Sequence, residues 1–231
     1  MTKEFPVSDT TRPQLTPSPI VTGPDSLIPD MSAWREAWLN ALRDPSGFWL
    51  ERTSELLDWS TPPTTGGEGD FWSVVNEPIR WFADGSLNVS VNCVDRHLEE
   101  RGDQAAIIWE ADEPGEGFTW TYRELHEQVC RAANVLLKLG VQSGDRVIIY
   151  MGMVPQAAVA MLACARIGAA HSVVFGGFSA KELGSRIADA KPKAIITASC
   201  GLEPHKTINY KTMLDESIKI SGVEGIKNII K

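Results

Sequence analysis

From residue 104 onward, short continuous apolar runs alternate with longer amphipathic segments, and few folds accommodate that rhythm. The runs are "QAAIIWEA" (104–111), "FTWT" (118–121), "DRVIIYM" (145–151), "AHSVVF" (170–175), "KAIITAS" (193–199) and "IKNIIK" (226–231). Four helical stretches lie between them. One opens on the capping-box pattern Thr121-Tyr-Arg-Glu124 and stops at Gly140. A second starts with Pro155, where a first helical turn tolerates proline, and is almost wholly apolar. A third opens on the box Ser179-Ala-Lys-Glu182 and runs to about Ala190. The fourth is "YKTMLDESIKISG" (210–222). The longer runs are continuous rather than alternating, as in strands covered on both faces. This predicts a parallel βαβ sheet between helical layers. The last run has no element after it, so the chain reads as the front part of something longer.

The first hundred residues are different material. All eight Trp fall within residues 1–120, whereas the back half is rich in Ala, Ile and Val. Residues 1–30 hold six of the fourteen Pro and are too poor in Leu and aromatics to order themselves, so they read as a disordered arm. Trp34, Trp38, Ala41 and Leu42 then recur at helical spacing. Asp44-Pro45 should break that helix, and Ser46 is placed to cap the next one, which carries Trp49, Leu50, Leu56 and Leu57. "STPPTTGGEGD" (60–70) is a loop by composition, and Asn92–Arg101 reads as a helix. The predicted fold class is α/β: a Trp-rich, mainly helical N-terminal cap packed on the first part of a mostly parallel βαβ sheet domain, the two meeting near residue 100.

Charge follows the same division. Residues 1–120 carry 8 Lys and Arg against 21 Asp and Glu, and residues 121–231 carry 14 against 9. The acidic front argues against nucleic acid or an anionic membrane as partner, and the mildly basic back suits a small anion. Cys93, Cys130, Cys164 and Cys200 are far apart, which fits reduced thiols in a cytoplasmic protein. No apolar run approaches the roughly 18 residues a membrane span needs. The start lacks the apolar core of a secretory signal.

The one feature with chemical promise is the corner Phe175-Gly176-Gly177. It closes a strand, and in an open parallel sheet ligands bind beyond the C-terminal strand ends. Two glycines can take φ > 0 and let backbone approach a ligand closely. Ser179 opens a helix there, so free N–H groups and the positive end of the dipole face the same space. The residues alone leave two readings open, a phosphate-binding corner or a plain tight turn. The pattern is neither G-x-G-x-x-G nor G-x-x-x-x-G-K-[ST]. Other polar residues read as structural. His97 is expected to hydrogen-bond near Asp95, His171 to sit satisfied in the core, and Arg186 to pair with Asp189 on a helix surface. Arg96 is expected to form an ion-pair cluster with Asp95 and Glu99. Cys130 and Cys164 lie on apolar helix faces and should act as small hydrophobes.

Several longer stretches carry a resemblance. "NCVDRHLEERGDQAAIIWEADEPGE", "TYRELHEQVCRAANVL", "GDRVIIYM", "AMLACARIGAAHSVVFGGFSAKELGSRI" and "ITASCGLEP" together strongly resemble the acetate–CoA ligases of the acyl-adenylate-forming superfamily, from about Ala33 to Lys231. That resemblance implies a family N-terminal cap over residues 31–100 and the start of an AMP-binding domain over 101–231. It implies the reaction of acetate, ATP and CoA to acetyl-CoA, AMP and pyrophosphate, with propionate as the alternative acyl substrate. It assigns Phe175, Gly176 and Gly177 to the adenine and 3′-phosphate end of CoA. It also places Lys206 where many relatives have a CoA-contacting Arg. Glu203 stands where a first such Arg would be and would repel a phosphate. His205 lies in the same loop as a neighbour of the ligand. Gly152, in "GMVPQ", departs from a usual proline.

The family's T-S-G-[ST]-T-G-x-P-K-G phosphate loop, its adenine and ribose motifs and its lid with a catalytic Lys do not occur in these 231 residues. ATP and Mg are therefore expected to bind outside this chain, no catalytic residue or metal ligand is assigned, and the chain alone is expected to be inactive. Small molecules are the expected partners, with self-association through an exposed sheet edge. The rival reading is a non-catalytic CoA- or nucleotide-binding module with a regulatory role.

Overall fold

A computed structural model describes residues 28–69, 79–203, 206–224, 226 and 228–230. Most of the predicted N-terminal arm, and His205, lie outside the described residues. Contacts divide the chain into two compact units: the residues up to Glu55 together with Pro63–Asp84, and Leu56–Pro62 together with Gly85–Lys231.

The first unit holds helices α1 (Met31–Arg43) and α2 (Pro45–Leu56) and the short antiparallel strands β1 (Gly67–Glu68) and β2 (Arg80–Trp81). The Asp30 carboxylate caps α1, accepting from the amides of Ser32 and Ala33 at 2.8 Å. The chain breaks at Asp44 as expected, but Ser46 is not the cap of α2. Pro45 already occupies the first turn, and Asp44 accepts from the Gly47 amide at 2.9 Å. Ser46 instead accepts from the Gly67 amide at 2.9 Å and so holds β1. The segment before β1 is tied to Asp84, just after β2, whose carboxylate accepts from the amide and hydroxyl of Thr64 and the hydroxyl of Thr65. Those bonds hold its pKa down to about 2.

The second unit contains α3 (Val89–Cys93), a 3-10 turn (Asp95–His97), α4 (Leu98–Arg101), the antiparallel hairpin β3 (Ala105–Trp109) and β4 (Phe118–Thr121), and α5 (Tyr122–Lys138). Then come β5 (Arg146–Met151), α6 (Pro155–Arg166), β6 (Ala170–Phe175), α7 (Ala180–Ala190) and β7 (Ala194–Thr197). A hairpin of β8 (Gly201–Glu203) and β9 (Lys206–Ile208), α8 (Tyr210–Ser221) and β10 (Asn228–Ile230) complete it. The predicted parallel sheet is present, with strand order β10-β7-β5-β6 and every neighbour parallel. Both capping boxes form, at Thr121/Glu124 and Ser179/Glu182. Two expectations change. "QAAIIWEA" and "FTWT" pair with each other as a separate ribbon instead of joining the sheet. The single helix expected over 92–101 starts earlier, at Val89, and is broken into α3, the 3-10 turn and α4.

β5 is the spine. Val147 through Tyr150 are fully buried and alternate between the two sides of the sheet. Val147 meets Val129, Ala133, Leu136, Val159 and Ala163 on the α5/α6 side. Ile148 and Tyr150 meet Leu183, Ile187 and Leu214 on the α7/α8 side. Gly184 lets the last two helices touch, since a Cβ there would come within 3.0 Å of Ile220 Cγ2 and of the Ser217 carbonyl oxygen.

A polar clasp ties the 85–101 segment to this sheet unit. Arg166 forks onto Asp95, at 2.7 Å through Nη1 and 2.5 Å through Nη2, and Nη1 also reaches Ser90 Oγ at 3.1 Å. Asn88 works at two helix ends. Its Oδ1 accepts from Ser90 N, opening α3, and its Nδ2 donates to the last carbonyls of α6 at Ala165 and Arg166. The expected Asp95/Arg96/Glu99 cluster is therefore not what forms. Asp95 takes Arg166, while Arg96 turns to Asp58 (3.5 Å) and the Leu56 carbonyl (2.8 Å). His97 packs on the Tyr122 ring, centroids 5.2 Å apart, and His126 is the histidine near Asp95, at 3.5 Å. The Arg166 guanidinium beside Asp95 holds its carboxyl below the ordinary value.

His171 is a further correction. Among the described residues β6 pairs only with β5, which makes it an edge strand, and His171 is exposed there rather than buried. The edge also leaves Val173 and Phe175 open. Cys164 does behave as a small hydrophobe: it is fully buried, and burial pushes its thiol up to about 11.

Candidate functional site

In a doubly wound sheet the ligand crevice lies beyond the strand ends where successive connections leave in opposite directions. The chain runs from β5 to its neighbour β6 on one side, then to β7 on the other, so that point lies between β5 and β7. Three loops leave here: from β5 through Gly152, from β6 through Phe175–Phe178, and from β7 towards Gly201.

One side chain sits among all three. Tyr210, the first residue of α8, is 3% exposed and stands edge-on to Tyr150, ring centroids 5.1 Å apart. A Cβ on Gly176 would overlap the Tyr210 hydroxyl and lie 3.1 Å from Cε1 and Cζ. A Cβ on Gly201 would lie 2.7 Å from Cε2, and one on Gly152 would make ordinary contact with the hydroxyl at 3.5 Å. Glycine at 176 and 177 permits positive φ and close backbone approach. Neither adopts positive φ, and the physical reason for glycine is space. At 176 the space is taken by Tyr210. At 177 a Cβ would strike the Phe175 ring itself, 2.6 Å from Cε1.

The turn is pinned from below. The Tyr150 hydroxyl reaches the carbonyls of Phe178 at 3.2 Å and Gly176 at 3.5 Å. Burial first, and Tyr210 second, push the Tyr150 phenol up, which keeps its proton available to donate. Above the turn Phe175 is 65% exposed and meets Phe178 edge-on at 5.8 Å. Arg186 does not form the expected pair with Asp189. Its guanidinium lies 4.6 Å over the Phe178 ring, with Nη1 3.5 Å from the Glu182 carbonyl.

The helix end does not offer a phosphate what its sequence promised. Ser179 Oγ accepts from Glu182 N, and the Glu182 carboxylate accepts from Ser179 N, both at 3.4 Å. A carboxylate thus fills the first turn of α7 and would repel a phosphate seated there. Lys206 opens β9 in the neighbouring hairpin, where its backbone stands opposite Glu203. That hairpin starts at Gly201, against Tyr210.

Sequence reading missed Tyr210. A signal existed: Gly152, Gly176 and Gly201 follow three successive strands, and recurrent side-chain absence at strand exits calls for one bulky occupant above them.

The α/β fold agrees with what comparison with known proteins shows. Residues 94–230 match the family of AMP-binding enzymes, and the chain belongs to it. Residues 34–93 match the acetyl-coenzyme A synthetase N-terminus. The chain is 49% identical over 197 residues to the acetyl-coenzyme A synthetase of Serratia proteamaculans, covering 85% of this chain and 30% of that protein. The corresponding proteins of Yersinia pestis and Cronobacter sakazakii are each 48% identical, over 197 and 190 residues. The chain thus corresponds to the N-terminal part of acetyl-CoA synthetases and spans about 30% of the length of the curated relatives it matches.

Proposed function

We propose that this chain is the N-terminal portion of an acetate–CoA ligase and carries part of the surface that binds CoA. Residues 31–100 are then the cap region and 101–231 the start of the AMP-binding domain. One observation carries the CoA reading: an aromatic ring, Phe175, is 65% exposed at a parallel strand's C-terminal end, on a turn with no room for a side chain at Gly176. Phe175 would stack the adenine, and the Gly176–Gly177 backbone would let the ligand approach. Lys206 would meet a phosphate as a point charge. Bound CoA supplies the thiol that accepts the acyl group. The residues here only hold and orient its nucleotide end.

Titration of the 231-residue chain with CoA tests this. Stacking of a base on an aromatic ring is worth about 1–3 kcal/mol, so Phe175→Ala should weaken CoA binding by at least about fivefold while leaving the melting temperature unchanged. Equal affinity in wild type and Phe175→Ala would sink the reading. These residues include no Thr-Ser-Gly phosphate loop, and positioned charges on the reacting phosphate are a large part of such catalysis. The expected rate of acetate-dependent ATP–pyrophosphate exchange from the purified chain is therefore that of the no-enzyme control. A rate above it would refute the assignment of adenylation outside these residues.

A further inference from the structure

We infer that Tyr210 is a positioning residue that sets the distance between the Phe175 platform and the hairpin carrying Lys206, and so governs how firmly a nucleotide is gripped between them. The inference rests on the CoA reading above and extends it to a residue that touches no ligand. Both sides of the corner are packed against its ring. Gly176 lies against the hydroxyl, Cε1 and Cζ, and Gly201, the first residue of β8, lies against Cε2. Both glycines lack the side chain that would hold them off. Tyr150 backs the ring edge-on and also reaches the carbonyls at 176 and 178, so the β6 turn is fixed from two directions. Leu214, one turn along α8, is fully buried in the core that holds Leu183 and Ile187 of α7. Tyr210 therefore cannot slide without moving α8. A smaller residue at 210 would leave a void beneath both loops, and packed interiors respond to such voids by shifting the groups around them.

The test is a CoA titration of the full chain with Tyr210→Phe, Tyr210→Leu and Gly176→Ala, alone and combined. Tyr210→Phe keeps the ring and should bind within about threefold of wild type, whereas Tyr210→Leu should bind about tenfold more weakly while still melting cooperatively. Gly176→Ala collides mainly with the hydroxyl, so its loss in affinity should shrink in the Tyr210→Phe background. A purely local packing role also couples these two losses, because residues in contact are non-additive, but it leaves residues 199–203 undisturbed. Amide hydrogen exchange across residues 199–203 supplies a readout without ligand: Gly176→Ala should accelerate it in wild type and less so with Tyr210→Phe. Wild-type CoA affinity in Tyr210→Leu, or exchange across 199–203 that Gly176→Ala leaves unchanged, overturns the inference. If wild type itself binds no CoA, the proposed function fails, and exchange alone then decides: coupling between 176 and 199–203 upholds Tyr210 as the spacer, and its absence overturns it.

Discussion

The two units use apolar residues in opposite ways. In the sheet unit β5 buries Val147, Ile148, Ile149 and Tyr150 completely, and helices cover both faces. In the helical unit Trp34, Trp38, Trp49 and Trp81 each remain 46–50% exposed. There Thr53 is the one buried side chain in α2, and α1 buries none. Trp34 and Trp38 stack on each other at 6.0 Å, one turn apart on the outside of α1. Aromatic content is thus no measure of core. A strand covered on both faces can bury side chains pointing either way, whereas a helix of a small unit can bury only one stripe, and only if something faces it.

Substitutions can break that contrast or sharpen it. The largest effect should come from β5. Ile149→Ala removes a fully buried side chain and should cost about 2–5 kcal/mol, read by denaturant unfolding of the chain. A cost below 1 kcal/mol, on the order of a surface change, would mean the sheet unit is not the rigid part.

The clasp on the 85–101 segment comes next. Asp95→Asn leaves Arg166 with a weaker partner and should cost about 2 kcal/mol at neutral pH. Asp95 has a folded pKa depressed below its ordinary 3.8, chiefly by the hydrogen bonds from Arg166. Its contribution is therefore complete above pH 3.8 and is lost as pH falls through the folded value. Wild type should lose stability more steeply than Asp95→Asn in that acid window, and parallel acid profiles would rule the clasp out as a source of stability.

The smallest effect is the most discriminating. Trp38→Ala should change stability by no more than about 0.5 kcal/mol, as for a surface residue. A loss near that of Ile149→Ala would show that α1's aromatic stripe is covered in the folded protein.

Much of the architecture was legible because its signals are local. Each capping box is three residues long, Pro155 marks its own helix start, and continuous runs such as "RVIIY" announce a strand covered on both faces. The errors share the opposite property. The neighbours of Ser46 suggest a cap, yet its partner, Gly67, is 21 residues away. His171 was read as core from the apolar run around it, but whether a strand has one neighbour or two is settled by the order of the whole sheet. Arg186 turned to Phe178 rather than Asp189 because an aromatic face lay within reach.

The sequence by itself determined the longer helices and strands after residue 104, their order and the place of the glycine corner, since periodicity, caps and breakers act within one or two turns of chain. Only the tertiary structure decided why that corner is glycine. The space a side chain would need at 176 is occupied by Tyr210, 34 positions later, and at 201 by the same ring. Steric exclusion between distant residues leaves no trace in local pattern. It arises only when three strand ends and a helix start are brought to one point.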